Sequence, residues 1–80
     1  MLGPRHPETQ ISIYILADLL QEMGRVEEAI PLYREHLEGD REVHGSSHKE
    51  TLSSARNLAE LLDESGHAEE AARLRNDYSV

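Results

Sequence analysis

At 80 residues the chain holds one domain at most, and so short a chain buries a smaller share of its unfolded surface than larger proteins do. It has no Cys, which excludes a disulfide framework or a thiolate metal site and fits a reducing, cytoplasmic setting. Sixteen acidic against eight basic residues, a formal charge of −8, argue against nucleic-acid binding, and no apolar run or leader pattern suggests a membrane span or a secretion signal.

The first predicted element starts near Pro7, a residue suited to the first helical position because it has no N–H to leave unpaired. Ile13, Leu16, Ala17 and Leu20 then follow at i, i+3, i+4 and i+7, one apolar stripe of an α-helix. Ile11, Ile13 and Ile15 alternate and are β-branched, which locally favours a strand. Gly24 closes the helix as a left-handed cap. A second helix carries Val26, Ala29, Ile30, Tyr33 and Leu37, with Pro31 expected to kink it near its start because the ring crowds the carbonyl of Glu27. Further on, Ser47-His48-Lys49-Glu50 has capping-box spacing. It opens a third helix with Ala55, Leu58, Ala59 and Leu62 on one stripe and Gly66 at its end. The fourth helix offers Ala68, Ala71, Ala72 and Leu74 before the weak helix formers Asn76-Asp77-Tyr78-Ser79-Val80, so residues 68–80 are expected to fray first.

The third and fourth elements repeat the first and second. Shifting the chain by 42 residues lays residues 1–38 on 43–80 with 15 identical pairs and no gap, among them Gly3/Gly45, His6/His48, Leu16/Leu58, Ala17/Ala59, Gly24/Gly66 and Ala29/Ala71. One unit occurs twice, so one fold must serve both copies, and the second copy, with Ser53, Ala55 and Asn57 against the three isoleucines, decides for helix. Turns of two or three residues make each pair of helices an antiparallel hairpin.

The pattern Leu16-Ala17-x-x-Leu20-x-x-x-Gly24-x-Val26-x-x-Ala29-x-x-x-Tyr33 resembles the tetratricopeptide repeat. The 42-residue period, the segment Leu2-Gly3-Pro4-Arg5-His6-Pro7-Glu8-Thr9 and the phrase Glu28-Ala29-Ile30-Pro31-Leu32-Tyr33-Arg34 are similar to the variant found in kinesin light chains. The resemblance spans the chain and departs from the pattern at Ser46 and Lys49, at Arg75 and at His36. It implies an all-α fold of two tandem helix-turn-helix hairpins, four antiparallel helices forming a short right-handed solenoid. Repeat 1 covers about residues 1–42 and repeat 2 about 43–80 of a single domain.

The same resemblance implies binding rather than catalysis, with a peptide held in a concave groove lined by the first helix of each repeat. Carried over position by position, the groove residues are Ile11, Tyr14, Ile15, Asp18, Gln21 and Glu22, then Ser53, Arg56, Asn57, Glu60, Asp63 and Glu64. Asn57 stands where a carboxamide would serve a peptide main chain as both donor and acceptor. The family's grip on a C-terminal carboxylate is not expected, because Tyr14 and Asp18 occupy the positions that would carry Lys and Asn. The acidic rim favours a partner segment with Lys or Arg. The alternative is a structural fragment that forms a homo-oligomer through uncapped repeat ends, since fewer than three repeats are seldom stable alone.

No cofactor is expected. His44 and His48 flank Gly45, which breaks the register a shared metal would need, and His6 and His48 read as packing or capping groups at the hairpin entrances. The Glu27-Glu28 and Glu69-Glu70 pairs sit in first helical turns, where negative charge complements the macrodipole. No Ser/His/Asp spacing or phosphate loop stands out.

Overall fold

The computed structural model describes the backbone of residues 7–80 and the side chains of residues 9–80. The predicted segment ahead of Pro7, including the entrance role of His6, lies outside the described residues. Four helices follow in order: α1 (Pro7–Glu22), α2 (Val26–His44), α3 (Lys49–Glu64) and α4 (Ala68–Tyr78). Among the described residues there is no strand. Helix starts recur at the period of the sequence, from 7 to 49 and from 26 to 68, 42 residues in both cases. The β-branched run of α1 is therefore helical: its local strand preference is worth tenths of a kcal/mol per residue, less than the packing gained by forming the hairpin twice.

Each hairpin closes in the same way. Arg25 N–H donates to the Leu20 carbonyl (2.8 Å) with Gly24 at φ 80°, and His67 N–H donates to the Leu62 carbonyl (2.7 Å) with Gly66 at φ 86°. This wrapped closure needs a left-handed residue, which glycine supplies without a Cβ clash. The end of α4 repeats it without glycine: Val80 N–H donates to the Arg75 carbonyl (3.0 Å) and Ser79 holds φ 58°. α2 continues through Pro31 from Val26 to His44. The start of α3 corrects the capping-box reading. His48, not Ser47, is the N-cap, and its Nδ1 accepts the Glu50 N–H at 3.1 Å.

Successive helices pack on one another, α1 on α2, α2 on α3 and α3 on α4. Five alanines, Ala17, Ala29, Ala55, Ala59 and Ala71, are fully buried in the common core and let the helices approach closely. Ile30, Tyr33, Leu37, Leu58, Leu61 and Leu62 fill the space between them. Two expectations about the core fail. Leu16, placed on the buried stripe of α1, is exposed, although its counterpart Leu58 is buried. α3 is flanked by the first hairpin on that side, and no described element flanks α1 there. In α4, Ala68 and Ala72 are exposed. Tyr78, four residues on from Leu74 in α4, and Val80, brought by the wrapped C-terminal turn, join Leu74 against the core instead.

A polar node joins the hairpins. Gln10 Nε2 of α1 donates to the His36 carbonyl (2.9 Å) and to Asp40 Oδ1 (3.2 Å) of α2. Ser54 Oγ of α3 donates to Asp40 Oδ2 (2.5 Å), and Thr51 Oγ1 donates to the Asp40 carbonyl (3.2 Å). One residue of α2 thus ties down both neighbouring helices.

Candidate functional site

A cleft of about 170 Å³ opens between α1 and α3. α1 contributes Tyr14, Asp18 and Gln21, at i, i+4 and i+7, and α3 contributes Asn57, Glu60 and Glu64, at i, i+3 and i+7. Both spacings hold three side chains on one helical face. Tyr33 and Leu61, both buried, complete the lining. The structure thereby brings six predicted groove residues together across two repeats.

Other predicted residues lie elsewhere. Ile11 and Ile15 are exposed and do not line the cleft, nor do Glu22, Ser53 and Arg56. Asp63 turns to α4, where it pairs with Arg75 at 2.6 Å. Ile11 and Ser53 share the helical stripes of Tyr14 and Asn57 but lie a turn before the cleft, whose lining begins at Tyr14 on α1 and Asn57 on α3, whereas Ile15 and Arg56 are each turned about 100° from those residues.

Three carboxylates, Asp18, Glu60 and Glu64, share the cleft, and no Lys or Arg lines it. Burial pushes the Tyr33 phenol up to about 12, and the nearby charges of Asp18 and Glu22 push in the same direction. Its neutral hydroxyl donates to Gln21 Oε1 at 3.0 Å, which holds the carboxamide of Gln21 in place. Tyr14 meets Tyr33 edge-on, with ring centroids 6.2 Å apart, and leans on His36 at 5.3 Å. The cleft therefore offers a half-exposed aromatic ring, two carboxamides and a negative rim, a set suited to non-covalent recognition.

Sequence reasoning missed the two floor residues and the approach of Ser54, His36 and Asp40. A signal for the latter exists: Asp40 continues the stripe Ile30, Tyr33, Leu37 at i+3, a polar residue at a core position. The trio does not form a proton relay. Ser54 Oγ (3.2 Å) and Asp40 Oδ2 (3.3 Å) both approach the same imidazole nitrogen, Nδ1 of His36, whereas a relay uses opposite nitrogens. The His44 and His48 rings stack with centroids 4.5 Å apart. Among the described residues no group of three His, Asp or Glu is placed to hold a metal ion. No described helix is long and apolar enough to cross a membrane.

Two helical hairpins packed in sequence order, the first helix of each lining one cleft, define a helical repeat protein. The sequence model of the tetratricopeptide repeat matches residues 8–77, and the chain belongs to that family, whose members generally mediate protein–protein interactions. Searches of curated proteins and of solved structures each found no match.

Proposed function

We propose that this chain is a non-catalytic interaction module that holds a peptide segment of a protein partner in the α1–α3 cleft, and that the segment carries Lys or Arg. The observation that carries this reading is the convergence of Asp18, Glu60 and Glu64 on one cleft with no cation in its lining. Charge of one sign speeds encounter with an oppositely charged segment and discriminates against acidic ones. Asn57 supplies the main-chain hydrogen bonds, donor and acceptor from one carboxamide, and Tyr14 supplies the apolar contact. The recurrence of helix starts every 42 residues supports the kinesin light chain-like form of the repeat.

The test is a titration of basic and acidic peptide pools at two salt concentrations, with Asn57→Ala and Glu60→Gln alongside the unchanged protein. Basic peptides bind preferentially, the preference shrinks in high salt, Glu60→Gln weakens it, and Asn57→Ala lowers affinity for every sequence. Equal binding of both pools would remove the charge argument, and an Asn57→Ala variant with unaltered affinity would remove the main-chain argument.

A further inference from the structure

The internal repeat is its own control for which surfaces need a cover. On α3, Leu58 and Leu61 are 2% and 1% exposed. Their counterparts on α1, Leu16 and Leu19, are 48% and 49% exposed. Ile11, Ile15 and Met23 are exposed still further, at 59%, 60% and 58%. Positions 11, 15 and 19 of α1 and Met23, one residue past its end, recur every four residues, so these side chains form one ridge with Leu16 beside it. The strip covers several hundred Å² of apolar surface, as large as a monomer ordinarily exposes.

The opposite end of the molecule does not match it. Ile30, Tyr33 and Leu37 belong to the first hairpin and are buried in the core shared with α3. The equivalent positions of the second hairpin are Ala72, Arg75 and Ser79. Ala72 and Ser79 are exposed, and Arg75 is held by Asp63. A head-to-tail stack of copies would lay the α1 strip on small and polar groups, leaving most of its area without an apolar partner.

We propose that the strip is covered by the same strip of a second copy, in a closed two-fold dimer with α1 packed antiparallel on α1. An i±4 ridge packs into the matching groove of an identical helix, and a self-complementary patch closes at two copies rather than growing into a filament. Charge favours the antiparallel sense. α1 ends in Glu22 and has no basic residue in its last turn, so its negative C-terminal end is uncompensated. Antiparallel packing sets the two helix dipoles in opposition, which is the favourable sense, although Glu8 in the first turn already offsets part of the N-terminal charge. This narrows end-to-end assembly to one end and one stoichiometry, and it is independent of what the cleft binds. The buried area lies near the low end for specific interfaces.

Sedimentation equilibrium from about 5 to about 500 µM tests it. The mass rises from one chain to two and stops. Leu19→Glu and Leu19→Lys both weaken association by about a hundredfold or more, because each buries an unpaired charge at the contact. The Lys variant, which lowers the net charge, excludes simple charge repulsion as the cause. Both keep the helical circular dichroism of the unchanged protein, since Leu19 supports little of the monomer core. Ala72→Glu associates as the unchanged protein does. The chain has no Cys, so Leu16→Cys offers a single thiol mid-strip, which on oxidation links two copies. A monomer at the highest concentration, growth beyond two chains, or an Ala72→Glu variant as weak as Leu19→Glu would overturn the proposal.

Discussion

Asp40 is the residue whose removal should reveal how the two hairpins are held together. It is 8% exposed and sits between α1 and α3. Asp40→Ala deletes the acceptor for Gln10 Nε2 and for Ser54 Oγ but leaves the backbone bond from Thr51. Hydrogen bonds to a charged acceptor contribute roughly 1.5–3 kcal/mol each. Gln10 retains the His36 carbonyl and Ser54 retains His36 Nδ1, so neither donor is orphaned and the low end applies to both. The resulting loss of about 3 kcal/mol is offset by the carboxylate desolvation no longer incurred and by the better helix propensity of Ala, leaving about 2 kcal/mol. For a chain of this size that lowers the melting midpoint by about 8–16 °C. Asp40→Asn is milder, about 1 kcal/mol. Its amide oxygen still accepts from Gln10, and its amide nitrogen donates to Ser54 Oγ, whose hydroxyl turns to donate to His36 Nδ1, so only the charge assistance is lost. Urea denaturation followed by far-ultraviolet circular dichroism measures both, with an unchanged m-value showing that the transition remains cooperative. An Asp40→Ala variant within about 0.5 kcal/mol of the unchanged protein, or an Asn variant less stable than the Ala variant, would refute the view that this carboxylate ties the helices together.

Gly39→Ala should destabilise despite improving helix propensity: its Cβ would lie 2.6 Å from Gln10 Nε2, and the displaced Gln10 gives up two hydrogen bonds for a net loss of about 1 kcal/mol in denaturant titration. Leu61→Ala should cost about 2–5 kcal/mol and Leu19→Ala under about 1 kcal/mol in the monomer, an asymmetry between equivalent leucines that equal losses would disprove. The neutral phenol of Tyr33 is favoured by folding, so its contribution is fully present below about pH 10 and is lost as pH rises toward about 12. Phenolate absorbance followed in parallel with circular dichroism checks this, and a Tyr33→Phe variant shows less alkaline destabilisation over that window.

Helix content, hairpin closure and the repeat were legible because they are local. Pro7 at a helix start and Gly24 and Gly66 at left-handed closures act through backbone geometry within a few residues, wherever the segment sits in the fold. Six of the residues that line the cleft are named by the resemblance, position by position, and helical spacing explains only why those on one helix share a face. Leu16 and Leu58 mark the limit of that reasoning. They are the same residue, in the same place in the same unit, and one is exposed while the other is buried, because burial depends on which element lies alongside. The polar node is a second case. Gln10, Asp40 and Ser54 are far apart in the chain, and nothing in their local sequence pairs them. Only the stacking of three helices brings the two donors to one carboxylate, so its partners are a property of the packed molecule, while the helices that carry them were already written in the order of the residues.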